Sequence, residues 1–303
     1  MNTNYLFEVT DDKKIRVIID TDAACEADDP FAIVQGLLSP KLMVKAIVAE
    51  HFVEEGSMER SLEEIKTILD LMDIKDIPAL AGNAGPLGEA GSTEAETSEG
   101  VEFIIKEALS DDPHPLYILC QGAITNVAAA FKKCPEIIKR VTVIWIGTHG
   151  AGNVEAPFRE FNAGNDITAA NLVLRSGTNL WLVPSDVYTT ITIGLAEIQR
   201  RIMPCGKIGR HLFENMDTYN RSPIAGWTKG ESWSLGDSPA IALALNPDCG
   251  KYKEETAPDV MEDTSSRENP DNPVIRVYKS ADSRYILEDL IAKLELTYPA
   301  EKG

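Results

Sequence analysis

Short runs of apolar residues, rich in Val and Ile, alternate along the chain with longer amphipathic segments. The runs cover residues 15–19, 44–49, 116–120, 141–146 and 180–183. Helical patterns lie between them, at residues 29–38, 57–72, 98–109, 126–133 and 166–174. Runs that are apolar on both faces and separated by helices predict a mainly parallel central sheet flanked by helices on both sides. We therefore expect an α/β fold whose ligands bind outside the carboxyl ends of the strands.

The second half of the chain has a less regular pattern. It predicts helices at residues 194–202, 209–220, 239–245 and 282–296, and a strand at residues 274–278. The polar, Pro-containing segment 263–273 is predicted as a surface loop, and the Gly-rich segment 82–92 as a surface loop or a mobile flap. Since no segment is long enough to act as an interdomain linker, we expect residues 1–303 to form a single domain.

Charge and composition limit the partners of the chain. It has 48 acidic and 29 basic residues, a net charge of -19, which repels nucleic acid and anionic membranes. No apolar run approaches the ~20 residues that span a bilayer. The five cysteines form no CxxC pair and the first residues contain no apolar signal region, so we expect a cytoplasmic protein with reduced thiols. We predict no nucleic-acid partner and no membrane partner.

The strongest local signal is a cluster of aspartates, DTDAACEADD, after the first predicted strand. Asp20, Asp22, Asp28 and Asp29 crowd one strand end and one helix start. A helix N-terminus accommodates one or two carboxylates, whereas two carboxylates ~4 Å apart repel by about 4 kcal/mol at an effective dielectric of ~20. Either some are protonated or a cation lies among them, and oxygen ligands suit Ca²⁺ or Mg²⁺ better than zinc. Helix capping with solvated charge is the alternative.

Three further motifs follow predicted strands or open predicted helices. EFN at Glu160 and Asn162, with Asn153 seven residues before Glu160, combines carboxylate and amide groups that suit a polyol, or forms a polar loop. QGAITN, which begins at Gln121, is a ligand-facing turn or an ordinary strand-to-helix turn. In SLGDSP, Asp237 is a further ligand or an N-cap.

An aromatic residue close to the last of these motifs has two interpretations. Trp233 is either a core residue or a platform for a flat base. Other active-site signatures are missing from the sequence: it has no Gly-x-Gly-x-x-Gly after the first strand, no Walker A lysine and no Gly-x-Ser-x-Gly elbow. Its four histidines have no zinc-ligand spacing.

The ordered set of motifs resembles the nucleoside hydrolase family. DTD…DD after the first strand, QGAITNVA, GN…EFN and GDSP before a late helix occur in that family's order, from about residue 15 to about residue 250. The resemblance implies a Rossmann-like nucleoside hydrolase fold, a small riboside as substrate and one bound divalent cation, usually Ca²⁺, with Mg²⁺ as the other candidate. It also implies a homo-oligomer, a dimer or a tetramer.

The resemblance also implies a role for each matching position. Asp22 matches the aspartate that binds metal and activates water, and Asp29 and Asp237 match two further metal ligands. Gln121 matches a residue whose backbone carbonyl binds the ion. The positions that match residues binding the ribose hydroxyls and the 5′ group are Asp28, Asn153, Glu160 and Asn162.

The chain departs from the usual family pattern at three places. Five residues, not three, separate Asp22 from Asp28, which resembles a divergent branch of the family. Gly236 stands where familiar members have a histidine that helps to protonate the leaving base. The asparagine usual after the second strand is replaced in a region that holds His51. Leaving-group activation would then fall to a proton donor, His51 or Glu160, or to stacking on Trp233.

These inferences predict hydrolysis of the N-glycosidic bond of a riboside, with Asp22 as general base toward a metal-activated water. One rival is a haloacid dehalogenase-type phosphatase, because Asp20 and Asp22 form a DxD after a strand, but Ala24 stands where that family has Thr or Val. The other rival is a protein that binds a sugar or nucleoside without catalysis. The leaving base stays open at this point.

Overall fold

The computed structural model describes residues 4–52, 54–88 and 97–299. Its strands are β1 Ile15–Thr21, β2 Leu42–Ala49, β3 Ala79–Ala81, β4 Leu116–Cys120, β5 Val141–Ile146, β6 Asn179–Val183, β7 Thr192–Gly194, β8 Ser232–Ser234, β9 Gly250–Thr256, β10 Asp259–Val260, β11 Ser266–Arg267 and β12 Val274–Ala281. Its α-helices are α1 Asp29–Leu37, α2 Ser57–Leu71, α3 Glu99–Ala108, α4 Thr125–Lys133, α5 Phe161–Asn165, α6 Ile167–Arg175, α7 Ser185–Tyr188, α8 Leu195–Glu197, α9 Gly206–Asn220, α10 Ser238–Leu245 and α11 Ser283–Thr297. Of the Gly-rich segment 82–92, residues 89–92 lie outside the described ranges.

Eight strands form one sheet in the order β3, β2, β1, β4, β5, β6, β12, β9. All neighbouring pairs are parallel except β12 with β9, which is antiparallel. The edge strand β9 is charged and largely exposed along its length, which discourages pairing with another chain. The mainly parallel α/β sheet expected from the apolar runs is confirmed.

Helices cover both faces of the sheet, which explains why β1 reads as a continuous apolar run. All seven residues of β1 are buried. Val17 and Ile19 pack into the core on one face, and Ile18 packs into the core on the other. Because successive strand side chains point to opposite faces, only a sheet buried on both sides needs apolar residues at every position.

Neighbouring parallel strands end at one edge of the sheet, and the candidate residues follow there. The strand ladder continues just past the ends, because the backbone N–H of Glu50 donates to the carbonyl of Thr21 and that of Gln121 to the carbonyl of Asp20. The loops after β1, β2, β4 and β5 therefore begin side by side. Within the described ranges, no helix combines the length and apolar character that crossing a bilayer requires.

Four elements differ from the sequence-based expectation. The predicted helix at residues 194–202 is divided into α8 and a π-helical turn, Ile198–Ile202. The segment 263–273, expected as a surface loop, contains β11 and three buried residues, Thr264, Ser265 and Ser266. Their hydroxyls hide the burial from a hydropathy pattern; the Thr264 hydroxyl accepts the backbone N–H of Glu160 at 2.8 Å. Strand β3 has only three residues and β9 is charged, so neither was predicted.

Candidate active site

Two aspartates stand at helix N-cap positions without acting as caps. Asp28 precedes α1 and Asp237 precedes α10, and in both cases the side chain makes no capping hydrogen bond. The Asp28 carboxylate instead accepts the backbone N–H of Gly236 at 2.9 Å, across the sequence. Capping therefore does not explain these two carboxylates, and both line one cavity with Asp29.

Asp28, Asp29 and Asp237 form a tight group of buried carboxylates. One oxygen from each lies within 4.8 Å of the others, a spacing that one cation can bridge. Burial, and then the charge of Asp28, raise the pKa of Asp29 to about 7, and burial raises the pKa of Asp28 to about 6. Burial, followed by the charges of Asp28 and Asp29, raises the pKa of Asp237 well above its ordinary value. Such a group stays charged at neutral pH only with compensation.

Asp22 lies beside this group and depends on a glycine. A Cβ at Gly122 would stand 2.8 Å from the Asp22 carboxyl, so only glycine allows this approach. Asp22 is 2% exposed, and burial followed by the charge of Asp29 raises its pKa well above the usual range. Among the described residues its Oδ2 has no hydrogen-bond partner.

Gln121 lines the same cavity from the end of β4. Its backbone carbonyl accepts the side-chain N–H of Asn162 at 3.0 Å, which leaves one lone pair for a further ligand. Its amide Oε1 and Nε2 are buried, and neither meets a partner in the part of the chain that the structure describes. Buried polar atoms are normally satisfied, so unpaired ones at a cavity wall indicate a site for a ligand.

The residues fit a hard divalent cation. Asp28, Asp29 and Asp237 are the carboxylates within bridging distance of one another, and Asp22 and Gln121 line the same cavity. All of them offer oxygen ligands, which suit Ca²⁺ or Mg²⁺. Arg159 is the basic residue in the cavity lining, but its guanidinium donates to the carbonyls of Glu262 and Gly164. Among the described residues no basic side chain neutralises these carboxylates, and the unpaired Oδ2 of Asp22 also indicates a place for a cation.

The cavity has a volume of about 410 Å³. It lies at the carboxyl ends of β1, β4 and β5, where α1 and α10 begin. Its lining residues are Asp22, Cys25, Glu26, Asp28, Asp29, Gln121, Ile146, Phe158, Arg159, Glu160, Phe161, Asn162, Tyr188, Thr189, Trp227, Ser234, Gly236 and Asp237. The size suits a ligand with a sugar and a small ring system.

Glu160 lines the cavity with a carboxylate that the protein already satisfies. Oε2 accepts the backbone N–H groups of Thr148 and Ala163, at 2.9 and 2.8 Å. Oε1 accepts the hydroxyl of Tyr188 at 3.0 Å and the N–H of Asn162 at 3.3 Å. Burial, and then the charge of Glu160, raise the pKa of Tyr188 well above its ordinary value, so its hydroxyl keeps the proton that it donates.

Asn162 is held in place by two carbonyl groups. Its side-chain N–H groups donate to the carbonyls of Gln121, at 3.0 Å, and Ile146, at 2.9 Å. Both amide protons are thereby used, and its Oδ1 is the atom left to accept from a ligand hydroxyl.

Aromatic residues form the outer part of the cavity. Phe158, Phe161 and Trp227 line it and are 48%, 46% and 47% exposed. Trp233 does not line it: this residue is 2% exposed in β8 and packs edge-on against Trp227, with ring centroids 4.8 Å apart. Exposed rings at one cavity favour a flat ligand. Of the two tryptophans, Trp227 can contact such a ligand, and Trp233 supports Trp227 from the core.

Two more predicted substrate residues are not brought to the cavity. Asn153 is exposed, and its Oδ1 accepts the backbone N–H of Glu268 at 3.1 Å, because β11 bridges to this loop. His51 is fully buried behind the site, with Nε2 2.8 Å from the Thr125 hydroxyl. The hydrogen bond with Thr125 and the contact with Glu50, 3.6 Å away, hold its ring inside the protein.

Several lining residues were missed from the sequence, among them Cys25, Glu26, Tyr188 and Trp227. Glu26 lies in the loop between Asp22 and Asp28, and burial raises its pKa to about 8. The extra length of that loop, with an acid in it, was the available signal. Tyr188 and Trp227 stand in segments without a regular hydropathy pattern, and nothing in the sequence marks them.

Fold and site together define a class: a parallel-sheet α/β protein with a carboxylate pocket at the strand ends, suited to a hard cation and a polyol. Comparison with known families makes this specific. The chain belongs to the inosine-uridine preferring nucleoside hydrolase family, whose sequence model matches residues 17–284. This confirms the resemblance carried by the DTD…DD, QGAITN, EFN and GDSP motifs, and it favours neither rival.

Individual relatives agree. The chain is 28% identical over 132 residues to an inosine-uridine preferring nucleoside hydrolase of Leishmania major, 43% of this chain and 41% of that protein. It is 29% identical over 248 residues to a pyrimidine-specific ribonucleoside hydrolase of Citrobacter koseri, 73% of this chain and 77% of the relative. Three of the curated relatives are matched over only 32%, 41% and 46% of their own length.

The fold has solved counterparts. A purine-preferring ribonucleoside hydrolase from Gardnerella vaginalis superposes with a TM-score of 0.78 at 21% identity, over 92% of this chain and 98% of that one. An inosine-guanosine nucleoside hydrolase superposes with a TM-score of 0.69 at 20% identity, over 93% of this chain and 99% of that one. At such identities the likeness establishes the fold alone.

Proposed function

We propose that this protein hydrolyses the N-glycosidic bond of ribonucleosides, giving ribose and a free base. The observation that carries the proposal is the group of carboxylate oxygens from Asp28, Asp29 and Asp237 within 4.8 Å of one another, with Asp22 in the same cavity. The cavity also has aromatic rings at a distance from these charges. A ribonucleoside would match both the carboxylates and the rings, with its sugar next to the cation and its base next to the aromatic side chains.

Asp22 is the proposed general base. A divalent cation held by Asp22, Asp29, Asp237 and the Gln121 carbonyl would lower the pKa of a water molecule and bind ribose hydroxyls. Asp22 would take a proton from that water as its oxygen bonds to C1′ and the bond from C1′ to nitrogen breaks. Its unpaired Oδ2 is the acceptor that this step needs. The transition state is oxocarbenium-like, so contacts that strengthen there accelerate the step.

Sugar and base are assigned to different walls of the cavity. Asp28 and the Oδ1 of Asn162 would accept hydrogen bonds from ribose hydroxyls, next to the cation. Trp227, with Phe158 and Phe161, would contact the base, and Trp233 would hold Trp227 in position. Gly236 offers no side chain that could protonate the leaving nitrogen. We therefore assign its activation to stacking of the base on the aromatic residues and to proton donation by an acid of the cavity, such as Glu26.

The ion, the assembly and the location are proposals as well. We propose Ca²⁺ as the resident ion, because the carboxylates belong to different elements and a large ion tolerates irregular geometry. A homodimer or homotetramer is proposed, and sedimentation at micromolar concentration would test it. A cytoplasmic location is supported by the five cysteines, all of which are free thiols.

The proposed activity can be tested with a panel of ribosides carrying purine or pyrimidine bases. Released reducing sugar is measured with Ca²⁺, with Mg²⁺ and with a chelator. We expect turnover of at least one riboside, loss of it with chelator, and recovery when Ca²⁺ is restored. A protein that binds these ribosides tightly and releases no ribose over a long incubation with Ca²⁺ would not be a hydrolase.

A further inference from the structure

Tyr188 places a hydroxyl group of the protein on a carboxylate that lines the cavity. Its hydroxyl donates to Oε1 of Glu160 at 3.0 Å, and three backbone N–H groups take the remaining acceptor positions of that carboxylate. An ionised carboxylate has about four lone-pair sites. With four donors from the protein, Glu160 has no acceptor left for a hydroxyl of a ligand.

The ring of Tyr188 also fills space that a side chain at residue 236 would need. A Cβ at Gly236 would stand 3.2 Å from Cδ2 of Tyr188 and 3.3 Å from Oδ2 of Asp28, closer than ordinary contact. Tyr188 is held from both ends, because its backbone carbonyl accepts the hydroxyl of Ser234 at 3.2 Å. It is therefore a fixed part of the wall.

Provided that the proposed function holds, three parts of the cavity lining would orient a ribofuranoside. They are the aspartate carboxylates of the pocket, the aromatic wall of Phe158, Phe161 and Trp227, and the wall made by Tyr188 and Glu160. The vicinal hydroxyls suit the cation at the carboxylates, because a hard ion prefers paired oxygen ligands. The base suits the aromatic wall. The carbon outside the ring, C5′, is then left to the wall made by Tyr188 and Glu160.

We propose that Tyr188 is a specificity-determining residue that makes the enzyme indifferent to a hydroxyl at C5′, so that 5′-deoxyribosides are substrates as good as ribosides. The Tyr188 hydroxyl donates to the Glu160 oxygen that could otherwise accept a hydrogen bond from a 5′-hydroxyl. A free carboxylate acceptor would favour the hydroxylated substrate by about 10- to 100-fold, because hydrogen bonds to charged groups are the strong ones.

The test compares the best riboside of the panel with its 5′-deoxy analogue in the wild type and in Tyr188→Phe. For the wild type we expect kcat/KM values within about threefold of each other. Tyr188→Phe keeps the ring but releases Oε1 of Glu160, and a 5′-hydroxyl can take the vacated place. We expect the preference for the hydroxylated substrate to rise by about tenfold. Tyr117→Phe, in β4 and outside the cavity lining, is the matched control.

Each result decides the question. A wild-type preference above about tenfold for the hydroxylated riboside would overturn the proposal, and so would an unchanged ratio in Tyr188→Phe. The wild-type ratio is informative even if the variant fails to fold. If no riboside is hydrolysed, the proposed function fails, and calorimetry of methyl ribofuranoside and its 5-deoxy analogue, both locked as furanose rings, in the presence of Ca²⁺ applies the same criterion to Tyr188 alone.

Discussion

Two clusters of buried acidic groups lie at the carboxyl end of the sheet, and they differ in what surrounds them. The pocket carboxylates face the cavity: Asp22, Asp28, Asp29 and Asp237. The sealed cluster lies behind them, and none of its residues is among those lining the cavity: Asp20, Glu50, His51, Thr125, Asn126 and Asp166. Comparing the two shows why a cation is proposed for only one of them.

The sealed cluster receives hydrogen bonds from a neutral amide, although Asp20 Oδ2 and Glu50 Oε1 meet no other donor among the described residues. The Asn126 amide donates to Asp20 and to Glu50, at 2.9 Å each. The two carboxyl groups also share a hydrogen bond, which requires a proton on one of them, and burial raises the pKa of Asp20 to about 7. An amide and a shared proton thus replace a cation.

The histidine of the sealed cluster is neutral as well. The Thr125 hydroxyl donates to Asp166 at 2.8 Å, so His51 Nε2, 2.8 Å from that hydroxyl, must carry its hydrogen. Burial lowers the pKa of His51 to about 4, which excludes an ion pair with Glu50 at neutral pH. Within the described residues the pocket carboxylates have no side-chain amide donor; they receive the Gly236 N–H and the Thr21 hydroxyl, and Asp237 shares hydrogen bonds with Asp28 and Asp29.

The largest effect is expected from a substitution among the pocket carboxylates. Asp22→Asn removes the proposed base and one ligand of the ion, and we expect kcat to fall by about 10⁴ or more. The metal-free variant should unfold at the same temperature as the wild type or a higher one, because one repelling charge is gone. Activity and thermal melts of Asp22→Asn are compared with those of Asp76→Asn, an exposed aspartate elsewhere. Near-wild-type turnover would remove Asp22 from the mechanism.

The second prediction removes the amide donor of the sealed cluster. Asn126→Ala leaves Asp20 and Glu50 without their shared donor and the backbone N–H of Asn83 without its acceptor. We expect the free energy of unfolding to fall by about 3 kcal/mol, the scale of several unsatisfied buried groups. Urea denaturation measures this loss.

The matched control for this prediction is Gln199→Ala, an exposed amide in the π-helical turn, for which we expect a change within about 0.5 kcal/mol. If Asn126→Ala lost no more stability than this control, the sealed cluster would not depend on neutral donors, and the contrast with the pocket would fail.

The third prediction sharpens the contrast through pH. The folded pKa of Asp28 is about 6 and that of Asp29 about 7, above the ordinary value of 3.8, so the folded state holds protons that the unfolded state has lost. The metal-free protein should therefore lose stability as pH rises from about 4 to about 7. Ca²⁺ must displace those protons, and at a concentration of 100 Kd it should restore about 2.7 kcal/mol at pH 7.5.

Thermal melts at pH 5 and pH 7.5, with Ca²⁺ and with chelator, measure this coupling. Ca²⁺ should raise the melting temperature more at pH 7.5 than at pH 5. Equal shifts at both pH values, or none, would mean that the pocket carboxylates do not bind the ion. Asp22→Asn should show a smaller Ca²⁺ shift than Asp76→Asn under the same conditions.

The contrast also explains what the sequence could predict. Parallel strands end at one edge, so a motif that directly follows a strand is placed by the strand itself; Asp22, Asp29 and Gln121 were found in this way. Asp237 opens an apolar helix, which by itself indicates an N-cap; the resemblance to the nucleoside hydrolase family is what implied a ligand there. The same logic cannot tell which side of a strand end a residue takes: His51 follows β2 directly and belongs to the sealed cluster.

Residues from irregular segments escaped prediction for a physical reason. Tyr188 ends the four-residue helix α7, and Trp227 lies in a loop, so neither has a periodic neighbourhood that indicates its direction. Trp233 was singled out, but the pairing of β8 with β7 buries it. The cavity wall farthest from the strand ends is thus the part that required the structure.

The smallest expected effect separates the two members of the tryptophan pair. Trp227 is exposed in the cavity and Trp233 supports it from the core, so Trp227→Ala should lower kcat/KM for purine ribosides by about tenfold, the scale of one stacking contact, with little change in stability. Trp233→Ala should instead cost about 3–5 kcal/mol of stability, as for other buried aromatic truncations. Kinetics and urea denaturation of both variants test this. Unchanged kinetics in Trp227→Ala would assign the base to another wall, since stacking is the reason for placing it here.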